Sequence, residues 1–216
     1  MKRGDIFFVA RLEPGRAARC VRWSAATLCA VVSRFAAVLL LLPLLAPLVA
    51  HADVKKFTLA SKTFVNGARM QPAQLYFGFG CSGENISPEL HWHGAPEGTR
   101  SFALTVHDPD APTGSGWWHW IVFNIPADMN SLPEGAGDPK SGLIPEAIQS
   151  RTDFGSSGYG GACPPEGHGD HRYQFRIYAL KVDQLPLDEN SPAAMVAYYV
   201  NANKLAEAQL EVIYGR

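Results

Sequence analysis

Cysteine and long apolar runs are scarce in this sequence. It has four cysteines in 216 residues, and its main apolar run, from Phe35 to Val49, is interrupted by Pro43 and Pro47. A membrane-spanning helix needs about 20 consecutive apolar residues, so the run is too short for a typical membrane anchor. Its length is instead typical of the apolar part of a secretory signal peptide.

The residues on both sides of this run complete the pattern of a signal peptide. Seven basic residues precede it, and Ala50-His51-Ala52 follows it as an A-x-A cleavage site. We therefore predict a signal peptide at residues 1–52 that is cleaved after Ala52, with a membrane anchor as the alternative. The mature protein, residues 53–216, would be periplasmic or secreted, and its 164 residues suffice for one domain.

The predicted mature chain also lacks an excess of basic charge. Of the 19 Lys+Arg and 20 Asp+Glu residues in the sequence, seven and two precede residue 53, which leaves 12 basic and 18 acidic residues and a formal charge of −6. This balance argues against binding to nucleic acid or to an anionic membrane surface. Any anion must therefore be bound by a local arrangement of donors.

Two cysteines, Cys81 and Cys163, remain in the predicted mature chain. Both lie in glycine-rich segments, and cysteines in an exported protein usually pair. We therefore predict a Cys81–Cys163 disulfide that joins two loops. The alternative is a reactive thiol, but neither cysteine has a recognisable activating base beside it in the sequence.

The remaining sequence is typical of a mainly β domain. Segments rich in β-branched and aromatic residues, bounded by Gly, Pro or Asp, predict strands at residues 101–106, 120–125 and 173–180. Weaker strand signals lie near Lys56 and near the C-terminus. The third strand breaks strict alternation, so we expect both of its faces to be covered.

One helix is predicted after residue 190. Ser191 is suited to cap it, and Pro192 is suited to its first turn. An apolar stripe follows at Met195, Val196, Tyr199 and Val200. We expect this stripe to pack against the core rather than to bind a ligand.

Two polar clusters lie where predicted strands begin or end. The segment HDPDAPTGSGWWHW, residues 107–120, joins the first two strands, and CPPEGHGDHRY, residues 163–173, leads into the third. Both combine histidine and aspartate with glycine, proline and aromatic residues. Three kinds of site fit this composition: a metal site, a nucleophilic catalytic site and a pocket for an anionic ligand.

Sequence motifs for the first two kinds of site are missing. There is no H-E-x-x-H motif for a metal, and His91-Trp92-His93 fits an isolated strand. There is no G-x-S-x-G nucleophile turn, and Ser115 is explained as a turn residue. We therefore predict no metal, no cofactor and no catalytic residue. Tryptophan walls, histidine donors and backbone amides favour a pocket for an anion.

The two clusters resemble the signature regions of a known family. DPDAP followed by GWWHWIVFNIP, and then GACPPEGHGDHRYQFRIYAL, is similar to the two signature regions of the phosphatidylethanolamine-binding protein family, which includes the Raf kinase inhibitor proteins. NISPELHW and RTDFGSSGYGG resemble its bacterial Raf-kinase-inhibitor-like branch, of which this chain would be an exported member. Cys163 departs from the pattern, since animal members have a glycine there.

The resemblance implies an antiparallel β-sandwich with a short helix near the C-terminus and a small pocket for phosphate-like anions. Matched residue by residue, the ligand-binding residues would be Asp108, Asp110, Trp117, His119, Pro165, His171 and Tyr173. We expect His119, at the rim, and His171 to donate to the anion, more strongly as imidazolium, so that binding is tighter near pH 6 than near pH 8. Asp108 would orient a histidine, and Asp110 would do the same or stabilise its turn.

The sequence therefore predicts a non-enzymatic binding or regulatory protein that takes a small phosphate-containing or other anionic ligand. The kinase-regulating role of the animal members is not carried over to an exported chain, but inhibition of a partner protein, a kinase or a protease, through the loops is a further possibility. A hydrolase that uses the histidine and aspartate cluster is the alternative, and the oligomeric state is open, with a homodimer as one option. The crowded loops further predict a cis bond at Ala111-Pro112 or within Pro164-Pro165.

Overall fold

The computed structural model describes residues 56–216, so the predicted signal peptide and its cleavage site lie outside the described residues. Within residues 56–216 there are ten β-strands and one α-helix. The strands are β1 Thr58–Ala60, β2 Phe77–Gly78, β3 Cys81–Ser82, β4 Leu90–His93, β5 Ser101–Asp108, β6 Trp117–Pro126, β7 Ser131–Leu132, β8 Ile148–Gln149, β9 His171–Leu180 and β10 Lys204–Tyr214. Helix α1 covers Ala193–Asn203, and no helix in this part of the chain is long and apolar enough to cross a membrane.

The strands form two main antiparallel sheets and one small hairpin. The larger sheet has the strand order β10-β9-β5-β6-β8, the smaller sheet has the order β1-β4-β7, and β2 pairs with β3. All of these strand pairs are antiparallel. The predicted fold, a mainly β antiparallel sandwich with a short helix near the C-terminus, is confirmed.

The main core lies between the two sheets. Phe102, Leu104 and Val106 alternate along β5 and are buried in it, and Leu90 and Trp92 of β4 belong to the same cluster. Alternate residues of a strand point to opposite faces of a sheet, so this spacing assigns one face of β5 to the sandwich core. Burying each of these large side chains contributes on the order of 1.5–3 kcal/mol.

A second core lies on the other face of the larger sheet, under helix α1. It contains Ala103 of β5 and Tyr178 of β9, packed with Val196 and Val200 of the helix. The larger sheet is therefore covered on both faces. This coverage explains the absence of strict alternation in β9 and confirms that prediction.

A bulge in β6 changes which residues of that strand face the sandwich core. Trp120 and Val122 face the main core, but the next residue to do so is Ile125 rather than residue 124. Asn124 has a φ of 57° and takes up the extra residue, and its side-chain oxygen accepts a hydrogen bond from the Leu185 backbone amide at 2.7 Å. Asparagine tolerates this left-handed backbone better than most residues.

The helix differs in detail from the prediction. It begins at Ala193 and has no side-chain cap, because the hydroxyl of Ser191 is hydrogen bonded to Asp188 instead. Val196 and Val200 are buried as expected, whereas Met195 is 47% exposed, so the apolar stripe is narrower than predicted.

The predicted cis proline bond is wrong. All peptide bonds within residues 56–216 are trans, including Ala111-Pro112 and both bonds of the Pro164-Pro165 segment. The trans form of an X-Pro bond is favoured by about 0.5–1 kcal/mol, and crowding in these loops does not overcome that preference.

Candidate functional site

The candidate site lies at one end of the larger sheet, where β5 ends and β6 and β9 begin. Asp108 is the last residue of β5, Trp117 is the first of β6, and His171 is the first of β9. Because β5 pairs antiparallel with both neighbours, these strand ends lie side by side, and Asp108 is paired directly with Trp117. Strand order thus brings together the two polar clusters, which are far apart in the sequence.

A cavity of about 210 Å³ opens at this end of the sheet, and most of its lining is apolar. It is lined by all but one of the predicted ligand-binding residues: Asp108, Trp117, His119, Pro165, His171 and Tyr173. The other lining residues are Phe79, Ala111, Pro112, Thr113, Phe154, Cys163 and Pro164. Cavities for drug-sized ligands measure about 300–1,000 Å³, so this one suits a smaller chemical group.

Phe79 and Phe154 are cavity residues that sequence reasoning missed. The ring of Phe154 lies 5.4 Å, between centroids, from the rings of both Trp117 and His119, and 6.1 Å from the ring of Phe79. It packs against Gly160, where an added Cβ would come within 2.2 Å of the ring. The sequence did contain a signal for these two residues. FGFGC and TDFGSSG each place a phenylalanine in a glycine-rich turn, where the turn itself does not need an aromatic side chain.

The Cys81–Cys163 disulfide fastens the hairpin β2–β3 to the loop before β9. The structure contains this predicted disulfide, with the two Cα atoms 6.0 Å apart. Arg216 joins the same segments, since its Nε donates to the Pro164 carbonyl at 2.6 Å and its Nη2 donates to the Phe79 carbonyl at 3.2 Å. The disulfide and the arginine therefore hold two walls of the cavity together.

His119 is a buried residue and not the rim residue expected from the sequence. It is 4% exposed, and its Nδ1 donates to the Gly160 carbonyl at 2.7 Å. Burial lowers the pKa of His119 to about 4, although the Gly160 carbonyl opposes this effect. The ring is therefore neutral near pH 7, and its proton is held by Nδ1, so Nε2 can only accept a hydrogen bond. The expectation that His119 donates to an anion as imidazolium does not agree with this buried, neutral ring.

Asp108 and His171 form a buried pair beside the cavity. Oδ2 of Asp108 lies 2.7 Å from Nδ1 of His171, and Oδ1 of Asp108 accepts the backbone N–H of Asp110 at 2.8 Å. Nε2 of His171 lies 2.7 Å from Nδ1 of His168. The structure places Asp108 where it orients a histidine, as expected. Both nitrogens of His171 are occupied by protein partners, however, so His171 has no N–H left for an anion in this arrangement.

Asp110 does not line the cavity, contrary to the prediction. Its carboxylate accepts the backbone N–H of Arg172 at 2.9 Å and the guanidinium of the same residue at 2.9 and 2.7 Å. The hydrogen bond from Arg172 lowers the pKa of Asp110 to about 2. An aspartate before Ala-Pro is ordinary turn chemistry, and the sequence does not show that the arginine next to His171 is its partner.

Tyr173 supplies the unpaired donor of the site. Its side chain is 1% exposed and lines the cavity, and its hydroxyl has no hydrogen-bond partner among residues 56–216. Burial raises the pKa of Tyr173 above its ordinary value, and the nearby Asp108 carboxylate adds to the effect. The hydroxyl therefore keeps its proton and remains a hydrogen-bond donor.

A second cavity, of about 360 Å³, lies behind Phe154. Unlike the first, it is mostly polar, with Glu84, Asp138, Ser156 and Ser157 in its lining. Phe154 belongs to the lining of both cavities and stands between them.

This fold and this cavity define a class of protein, an antiparallel β-sandwich with a small cavity at the end of one sheet. The chain belongs to the phosphatidylethanolamine-binding protein family, whose sequence pattern it matches over residues 60–215. The resemblance seen in the two polar clusters is thereby confirmed.

Bacterial members of the family are similar over most of the described chain. Escherichia coli YbcL is 50% identical over 164 residues, which cover 76% of this chain and 90% of YbcL. Escherichia coli YbhB is 44% identical over 157 residues, which cover 73% of this chain and 99% of YbhB. The YbcL crystal structure superposes with a TM-score of 0.73 and covers 74% of this chain and 98% of its own. A homologue from Chlamydia trachomatis has 31% identity and a TM-score of 0.64, covering 75% and 99% of the two chains.

Proposed function

We propose that this protein is an exported, non-enzymatic binding protein whose cavity takes the phosphate group of a small ligand in its monoanionic form. The observation that carries this proposal is that Tyr173 lines the cavity and that its buried hydroxyl has no partner among the described residues. A buried donor without a partner costs about 1–3 kcal/mol. A phosphoryl oxygen in the cavity would accept its hydrogen bond.

The neutral state of His119 favours the monoanion. Because Nδ1 donates to Gly160, the lone pair of Nε2 needs a donor from the ligand. A phosphate monoanion offers both an oxygen acceptor for Tyr173 and a P–OH donor for His119. The dianion of a phosphomonoester lacks that O–H, and any phosphate dianion would place a second negative charge near Asp108, which lines the cavity.

Titration of the ligand thus replaces imidazolium at His119 as a source of pH dependence. A phosphomonoester loses its second proton with a pKa near 6, so the monoanion becomes scarce above that pH. Binding should be stronger near pH 6 than near pH 8, as the sequence predicts, but because of the ligand proton rather than imidazolium at His119.

The lining of the cavity favours binding over hydrolysis. Hydrolysis by covalent catalysis needs a nucleophile activated by a neighbouring base. The hydroxyl of Thr113 donates to the Gly116 carbonyl, Cys163 is in the disulfide, and Tyr173 is kept protonated by burial. None of these three groups has a base as its hydrogen-bond partner.

Two observations support export. The signal-peptide pattern and the disulfide both support an oxidising, exported location. Inhibition of a kinase or a protease, and a homodimer, stay predictions from the sequence.

The test of the proposed function is removal of the Tyr173 hydroxyl. Tyr173→Phe should weaken binding of inorganic phosphate, measured by titration calorimetry near pH 6, by about 10- to 100-fold, since a hydrogen bond to a charged group contributes about 1.5–3 kcal/mol. Tyr178→Phe is the matched control, because that buried tyrosine lies in the core under helix α1 and outside the cavity lining. It should leave phosphate binding unchanged.

Protein stability gives a second, opposite readout. Tyr173→Phe removes an unpaired buried hydroxyl, so the free energy of unfolding without ligand should stay the same or rise. Equal phosphate affinity in the wild type and Tyr173→Phe, or no phosphate binding by the wild type at either pH, would refute the proposed function.

A further inference from the structure

An exposed histidine is linked to the cavity by two consecutive hydrogen bonds. His168 lies in the turn between Gly167 and Gly169, and its Nδ1 is 2.7 Å from Nε2 of His171. His171 and Asp108, the next two members of the chain of hydrogen bonds, are buried and line the cavity. His168 does not line the cavity, and the family resemblance did not select it as a ligand-binding residue.

One hydrogen lies between the rings of His168 and His171, and the other hydrogen bond of His171 determines which ring donates it. Nδ1 of His171 donates to Asp108, so Nε2 of a neutral His171 must accept from Nδ1–H of His168. When a further proton is taken up, Nε2–H of His171 donates to His168 instead. The charge of the three groups together then rises from −1 to 0.

We propose that His168 is a specificity-determining residue of the ligand site: proton uptake by the His168–His171 pair removes the net negative charge beside the cavity and so sets its affinity for an anion. This inference rests on the proposed function, because it concerns the same ligand. His168 acts through His171 and does not contact the ligand. It is the solvent-facing end through which a buried histidine gains or loses its proton.

The other acidic residues near the His168–His171 pair form ion pairs with arginines. Asp110 is paired with Arg172, Asp170 with Arg69, and Glu166 with Arg216. Tyr173 lies two residues after His171 on β9, and Tyr214 on the neighbouring strand β10 is the register partner of His171. His119 lies on β6, and Nε2 of His107 on β5 donates to the Ser115 carbonyl at 3.1 Å.

Proton uptake by this pair therefore changes the charge next to the cavity, and the neighbouring ion pairs do not offset that change. One unit of charge within a few ångströms of a bound anion is worth roughly a tenfold or greater change in affinity at the effective dielectric constant of a protein surface.

The test compares two pH values with inorganic phosphate as the probe. Affinity is measured by titration calorimetry near pH 5.5 and near pH 8 and is referred to the concentration of the phosphate monoanion, so that titration of the ligand itself drops out. Wild-type protein should then still bind about tenfold more tightly at the lower pH. His168→Leu, which cannot accept the Nε2–H of a charged His171, should show less than about a twofold difference.

The matched control is His93→Leu, which removes an exposed histidine of β4 whose side chain bonds to Thr58. It should keep the wild-type pH dependence. A second measurement is the NMR titration of His171 in the wild type, whose midpoint should move to higher pH when phosphate is bound, because binding and proton uptake favour each other reciprocally.

The outcomes separate this inference from the proposed function. Phosphate binding with the same residual pH dependence in the wild type and His168→Leu, or an unshifted His171 midpoint, would overturn the role of His168 and leave the proposed function intact. No phosphate binding by the wild type at either pH would overturn both.

Discussion

Nδ1 of His119 donates to the carbonyl of Gly160 at 2.7 Å, inside a protein interior that solvent hardly reaches. This bond fixes the ring orientation and leaves Nε2 as the nitrogen available to a ligand. It also ties the start of β6 to the loop that carries Phe154, since Gly160 lies against that ring.

The first prediction concerns the effect of His119 on acid stability. Burial lowers the pKa of His119 from 6.5 to about 4, so the unfolded chain binds this proton more readily than the folded one. The stabilisation is complete above about pH 6.5 and is lost as the pH falls from there towards 4, by up to about 3 kcal/mol. Urea denaturation of the wild type between these pH values should show the loss.

His119→Asn is the variant for this measurement, because its amide nitrogen lies near the position of Nδ1 and does not titrate. The difference in unfolding free energy between the wild type and this variant should change in favour of the variant as the pH falls. His93→Asn, which replaces an exposed histidine, should show the same pH dependence of the unfolding free energy as the wild type. A difference that stays constant from pH 6.5 to pH 4 would show that His119 is protonated as readily in the folded protein as in the unfolded one.

The second prediction concerns the Cys81–Cys163 disulfide, which closes a loop with a sequence separation of 82 residues. Cys81→Ala together with Cys163→Ala should lower the free energy of unfolding by about 2–5 kcal/mol. Phosphate affinity should fall as well, because Cys163 lines the cavity and the hairpin with Phe79 is fastened through this bond. Titration of the oxidised, exported protein should find neither thiol; two reactive thiols would contradict the pairing.

The third prediction is that Asp110 does not contribute to ligand binding. Asp110→Asn should leave phosphate affinity within about twofold of the wild type, because its carboxylate bonds Arg172 outside the cavity. The pair is partly exposed, so its contribution to stability should be small. The Arg172 hydrogen bond lowers the pKa of Asp110 to about 2, so this contribution is present above about pH 4 and is lost as the pH falls towards 2. A large loss of phosphate affinity in Asp110→Asn would show that Asp110 does contribute to ligand binding.

The sequence predicted the strands that carry the site because their patterns are local. Residues 101–106, 120–125 and 173–180 all lie within the observed β5, β6 and β9, and the polar clusters lie at the ends of these strands. Pairing of Cys81 with Cys163 followed from the expected compartment, which limits the available partners.

What the sequence could not show is where each polar atom points. Nε2 of His171 is hydrogen bonded to His168, and Asp110 forms an ion pair with Arg172. The sequence alone does not show either of these contacts. Burial of His119 likewise depends on Phe154, from a glycine-rich loop that has no periodic pattern. Strand order brings these groups together, and side-chain geometry then decides which hydrogen bonds form.

The side chain of Phe154 separates two cavities, one with a mostly apolar lining and one with a mostly polar lining. A smaller side chain at this position would reduce the separation between the cavity that Tyr173 lines and the cavity that Glu84 and Asp138 line. If the first cavity takes a phosphate group, as proposed, the acidic residues beyond Phe154 would suit a cationic group on the same ligand. The size of this one loop side chain would then limit the length of the ligand, and it can change without altering any strand.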